Sequence, residues 1–269
     1  MKHTKTLNKI YTALIFIFLY APIAVLILFS FNNSNSTGVF TGFSLKWYRE
    51  LLSDSATLTA LKNTLILAVT SSAIATVIGT AAAVGIYKMK NKYLVGSINT
   101  VTNIPMMNPD IVTGISMMLL FIFVGGLVNA KLSFWTVLIA HITFNLPYII
   151  LNVLPKLRSM DRHLPEAAMD LGCTRWQSFF KVELPFIMPG VFSGFIMAFT
   201  LSLDDFVISY FNSEEFQTLP IVIYGMTKRT VTPDMYALST LIVFAVFILL
   251  VISNMRSDDS SKKKGGKKR

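Results

Sequence analysis

Six separate apolar runs, at about 10–31, 61–87, 98–124, 134–154, 186–209 and 236–255, constrain this chain more than any other feature. Each is close to the roughly 20 residues that a helix needs to cross a hydrocarbon core. Inside lipid the backbone must satisfy its own hydrogen bonds, so the expected fold is all-α, with six transmembrane helices. Composition decides between lipid and water: 53% of the 269 residues are hydrophobic and only 14% are charged, with a mean hydropathy of +0.59. The connections are short, which predicts one membrane domain over 1–255 and a basic tail over 256–269. Pro105, Asn108, Pro109 and Asp110 interrupt the third run. The first run follows Lys2, Lys5 and Lys9, exceeds a typical signal-peptide core and lacks a small-residue cleavage pattern, so it reads as an uncleaved span.

The formal charge of +10 does not point to nucleic acid, because the basic residues sit in clusters between apolar runs and form no single stripe. They report topology instead. With the N-terminus inside, 18 of the 24 basic residues fall on the cytoplasmic side, and the ratio is still 12 to 6 without the last six basic residues of the tail. The expectation is a multi-pass protein of a prokaryotic cell membrane with both termini cytoplasmic. The tail, with Lys262, Lys263, Lys264, Lys267, Lys268 and Arg269, has the composition of a disordered segment suited to anionic lipid headgroups. A single cysteine, Cys173, excludes an internal disulfide and a multi-cysteine metal site.

This topology leaves one sizeable cytoplasmic segment, about 155–185. Pro165 suits a first helical turn, Glu166 complements the positive end of the helix dipole, Ala167 and Ala168 favour helix with a small surface, and Gly172 supplies a stop. A short helix from Glu166 to about Gly172 is shaped either for a cleft on a soluble partner or for the headgroup layer. Glu166-Ala167-Ala168, Gly172, Leu184 and Pro185 resemble the loop that defines the binding-protein-dependent ABC importer permeases: Glu-Ala-Ala, three residues, Gly, nine residues, Ile, one residue, Leu-Pro. Val182 stands at the usual isoleucine. The resemblance implies the type I importer permease fold and makes this helix, with Asp170 on it, a coupling helix for a separate ATPase subunit. Among the tail glycines, Gly265 and Gly266 have neither the spacing nor the following helix of a phosphate loop. Hence no catalytic residue and no cofactor is expected in this chain, and ATP and Mg belong to the partner ATPase.

Acids within spans are expensive and mark function by default. Asp110 lies in the broken third run, and Asp204 and Asp205 lie near the end of the fifth, beside Ser202 and Tyr210. Lys62 stands only at the start of the second run, and no basic residue is expected within the spans to neutralise them. Such carboxylates favour a cationic passenger, and Phe206, Tyr210 or Trp47 suit methylene chains and cations. The bland reading has Asp204 and Asp205 capping a helix end and Asp110 satisfying amides freed by Pro109. His141, with Asn145 four residues on, reads as a packing hydrogen bond, and the thirteen methionines read as apolar filling and not as a metal site.

Lys46-Trp47-Tyr48, Pro109-Asp110-Ile111-Val112, His141 to Phe144 with Leu146-Pro147, Phe199 to Ser209 and Ala237 to Thr240 together resemble the polyamine (spermidine/putrescine) ABC importer permeases, in particular their C-type subunit. The resemblance implies a heteromer of this subunit with a homologous second permease, two copies of an ATPase and an external polyamine-binding protein. It also implies a pathway involving Asp110, Asp204, Asp205, Ser202, Trp47 and Tyr210. The rivals are an importer permease for another small solute such as an amino acid, an ion-coupled secondary carrier, and a membrane enzyme. The loop argues against the carrier, and the last lacks a clustered nucleophile, base or metal set.

Overall fold

The computed structural model describes residues 2–34, 38–128, 130–228, 234–244 and 247–248, which are almost entirely helical. Among the described residues, five helices are long and apolar enough to cross a membrane. The sixth expected span is represented by Asp234–Phe244, and most of its remainder, like the 256–269 tail, lies outside the described residues. The described chain falls into two compact units, one formed by 2–59 and 222–248, the other by 60–221.

The first unit holds α1 (Lys2–Ser30) and α2 (Lys46–Ser53). Residues 8–29 of α1 include no buried residue, as expected of a helix whose surroundings are lipid or another subunit. Asn32 organises the connection between them. Its buried amide donates to Val39 O at 2.7 Å and accepts from Thr41 N at 2.9 Å, while its own carbonyl takes the Trp47 indole N–H at 2.7 Å. Asp54 then begins α3 (Ser55–Lys88) by accepting from the Ala56 and Thr57 amides. The Thr57 hydroxyl, with those amides, holds the Asp54 carboxyl below its ordinary range.

In the second unit come α4 (Lys92–Met107), α5 (Asp110–Val128), α6 (Phe134–Arg158), α7 (His163–Asp170), α8 (Arg175–Ser178), a π-helical turn (Phe179–Glu183), α9 (Leu184–Asp204), α10 (Val207–Phe211) and the start of α11 (Leu219–Thr227). The third apolar run breaks at Asn108, which is extended at ψ 142° ahead of Pro109, as a residue before proline prefers. Pro105 stays inside α4. The fifth run differs more from expectation. Its helix ends at Asp204, and Asp205 and Phe206 separate it from α10.

The core of this unit is built on α6, with Ile149, Val153 and Leu157 fully buried. Small residues let the neighbouring helices approach closely. A side chain at Gly190 would meet Asn152 O at 2.8 Å, and one at Gly79 would meet Ile149 Cγ2 at 2.8 Å. Together with Gly194, which faces Ile149 and Asn152, Gly190 forms a small-xxx-small face, the packing device available where lipid removes the hydrophobic drive.

Candidate functional site

Two regions of the second unit carry the expected functional residues. The first is the α7–α8 lobe. α7 starts three residues earlier than expected, at His163, so Pro165 occupies its first turn. Its end is set by Gly172 at φ 91°, with Gly172 N–H donating to Met169 O at 2.9 Å and Cys173 N–H to Ala168 O at 3.1 Å. These two bonds close the helix through a left-handed residue, a conformation that glycine adopts without steric cost. Thr174 caps α8 reciprocally with Gln177. Ser178 Oγ donates to Pro165 O at 3.1 Å, tying the two short helices together.

Glu166, Ala167 and Asp170 are exposed on α7, Ala168 is half-buried, and Glu166 lies 3.4 Å from His163 Nδ1. Around them Leu171 is 87% exposed and Trp176 75% exposed, a large apolar surface for a polar loop. Leu184 packs half-buried against the α6 core, and Pro185 occupies the first turn of α9. Lys88, at the end of α3, pairs with the buried Glu183 at 2.9 Å and stands over the Phe179 ring at 5.8 Å. The lobe is therefore anchored to α3 as well as to α9.

The second region is the α9–α10 break. Asp205 turns inward with its side chain 8% exposed, accepting from Ser209 N–H at 2.9 Å and Ile208 N–H at 3.2 Å. His141 Nε2 lies 3.3 Å from Asp205 Oδ2 and 3.0 Å from Ser209 Oγ, while Nδ1 lies 2.6 Å from Ser202 Oγ. Ser202 Oγ in turn lies 2.9 Å from Ser71 Oγ on α3. This corrects two expectations. An imidazole stands beside Asp205 to compensate it, and His141 does not bond Asn145, whose buried amide has no hydrogen-bond partner among the described residues.

Asp204 and Asp110 differ from Asp205. Both are exposed, neither makes an ion pair among the described residues, and they lie within electrostatic reach of each other. Asp110 opens α5. Tyr210 is 44% exposed and its ring centroid lies 5.2 Å from that of Phe206. Ser202 is buried inside the network. Trp47 belongs to the first unit, buried, with Lys46 Nζ 4.6 Å from its ring centroid. Sequence reasoning missed Ser71, Ser209 and the Lys88–Glu183 pair. The only local signal for any of them was a serine-rich stretch in an apolar helix.

Residues 75–257 match the family model described as binding-protein-dependent transport system inner membrane component. Over 237 residues the chain is 38% identical to the putrescine transport system permease protein PotI of Escherichia coli (strain K12), covering 87% of this chain and 84% of that one. Over 244 residues it is 37% identical to the spermidine/putrescine transport system permease protein PotC of the same strain, covering 90% of each. Among solved structures, a chain of a bacterial ABC transporter involved in the import of the acidic polysaccharide alginate superposes with a TM-score of 0.74, at 17% identity and over 97% of this chain and 96% of that one.

Proposed function

This chain belongs to the family of binding-protein-dependent transport system inner membrane components, and from that membership we propose that it forms half of an import pathway for a polyamine, putrescine or spermidine. It is a transport permease subunit and not an enzyme. The observation that carries the choice of cargo is the pair Asp110 and Asp204, exposed carboxylates at neighbouring helix ends that lack an ion-pair partner among the described residues. Two uncompensated negative charges bordering an apolar span attract a flexible cation with several amines and repel anions. The names of the two E. coli relatives support the same cargo.

In this reading 1–255 is one membrane domain with both termini cytoplasmic, and 256–269 is a basic tail. α7 docks on a separate ATPase that binds ATP and Mg²⁺, and two copies of that ATPase serve this subunit and a homologous second permease. An external polyamine-binding protein delivers the cargo. Movement of α7 reaches the far end of the pathway because α9 and the π-helical turn before it are tied to α3 at two levels, Lys88–Glu183 and Ser71–Ser202. From Ser71 to Lys88 is 17 residues, about 25 Å of helix, close to the thickness of a hydrocarbon core.

Uptake of labelled putrescine by the assembled complex in proteoliposomes tests the cargo. Asp110→Asn and Asp204→Asn are each expected to raise the apparent KM about tenfold, corresponding to roughly 1.4 kcal/mol of lost attraction. Unchanged KM in both variants at equal complex yield would remove the carboxylate argument, and saturable uptake of a neutral or zwitterionic solute in place of putrescine would replace the cargo.

A further inference from the structure

His141 sits in the fourth apolar helix with 1% exposure, and both of its ring nitrogens are engaged inside the protein. Its contacts come from three other segments: Ser202 from the last turn of α9, Asp205 from the break, and Ser209 from α10. Through Ser202 the network extends to Ser71 of α3. One imidazole thus joins the helix before the break, the break itself and the helix after it.

Asp205 has two duties in this arrangement. It accepts two amide N–H groups that the start of α10 leaves without helical partners, and it faces the imidazole. A buried carboxylate in a membrane span is costly unless compensated, so without the imidazole its cheapest relief is to swing toward water, taking the start of α10 with it. Asp204 lies on the other side of the same break and is exposed. Its direction is fixed by whatever fixes Asp205, because only a main-chain bond separates them.

We infer that His141 is a positioning residue for the pathway: it holds Asp205 as the anchor of α10 and thereby fixes the direction in which Asp204 is presented to the cargo. Asp205 is then a structural acid, and the passenger meets Asp204 and Asp110. The inference rests on the proposed function only for the choice of cargo as probe.

Two readouts test it, one independent of cargo. In hydrogen exchange of the purified complex, His141→Asn keeps a polar atom near Nδ1 and loses the one near Nε2, while His141→Gln offers an amide N–H that reaches Asp205. His141→Asn and His141→Ala are expected to accelerate exchange at Ile208 and Ser209 about tenfold or more, and His141→Gln to restore most of the protection. In putrescine uptake, His141→Ala is expected to raise the apparent KM about tenfold with a smaller change in maximal rate. Its effect should not add to that of Asp205→Asn or of Asp204→Asn, through which it acts, and should multiply with that of Asp110→Asn. Equal protection in wild type and His141→Asn, or independent multiplication of His141→Ala with Asp205→Asn, would overturn the inference. Should His141→Ala fail to assemble, the contrast between Gln and Asn decides. If the wild-type complex takes up no putrescine, the cargo reading fails and the exchange experiment still decides the role of His141.

Discussion

The two ends of α9 solve opposite problems. At Asp204–Phe206 a hydrogen-bonded network of His141, Ser202, Ser209, Asp205 and Ser71 closes on itself, leaving only Asp204 turned outward. At Arg175–Glu183 Thr174 and Gln177 cap the short helix and Lys88 takes one oxygen of the buried Glu183, whose other oxygen has no hydrogen-bond partner among the described residues, while Leu171, Trp176 and Phe180 are left exposed. A buried network fixes geometry, whereas an exposed apolar lobe needs a partner to cover it. The difference fits the proposed roles, in which one end holds a pathway in register and the other offers its surface to the subunit that drives it.

Breaking the anchor of the lobe should have the largest effect. Lys88→Met leaves the Glu183 carboxylate, 5% exposed, without its cation. Lys88 is half exposed, so its removal is expected to destabilise the second unit by less than for a fully buried pair, about 2 kcal/mol, read as a lower melting temperature of the complex in detergent. Lys88→Met with Glu183→Met should recover most of that loss. Equal melting of wild type and Lys88→Met would show that the pair does not anchor the lobe.

The shape of the lobe itself comes next. Gly172→Val forces a β-branched residue to φ 91°, at a local strain of roughly 2 kcal/mol. We expect α7 to lose its end bonds and the permease to retain its ATPase partner about tenfold more weakly in co-purification, with the His141 network undisturbed in hydrogen exchange. Loss of protection at Ile208 and Ser209 in this variant would mean that the two ends of α9 are not separable.

The smallest effect concerns the other unit and serves as a control. Asp54 caps α3 with its carboxylate, held below the ordinary aspartate range by the Thr57 hydroxyl and the Ala56 and Thr57 amides. A folded value below the unfolded one means that this stabilisation is complete above about pH 4 and is lost as pH falls through the depressed value. Asp54→Ala should cost about 1 kcal/mol at neutral pH and nothing further on acidification, measured by exchange at Ala56 and Thr57. Neither end of α9 should respond.

Much of this organisation was legible in the sequence where the determinants are local. Apolar run length located five long helices, and Pro165, Gly172 and Pro185 marked the lobe because each acts within a few residues of its own position. The site at the break was only half legible. Adjacent aspartates look alike in sequence, and no proline or glycine between Gly194 and Tyr210 marks where the helix ends. What separates Asp204 from Asp205 is a set of partners far away in sequence. His141 lies 61 residues from Ser202, and Ser71 lies 131 residues from Ser202. Helical spacing around His141 pointed to Asn145, one turn away, because periodicity sees only neighbours on the same helix.

Proteoliposomes bearing the complete complex, compared with proteoliposomes lacking only the ATPase subunit, probe the division of labour between the two ends of α9 most directly. The account predicts accumulation of labelled putrescine only when the ATPase and ATP are both present, and accumulation against a gradient by the permease subunits alone would contradict it.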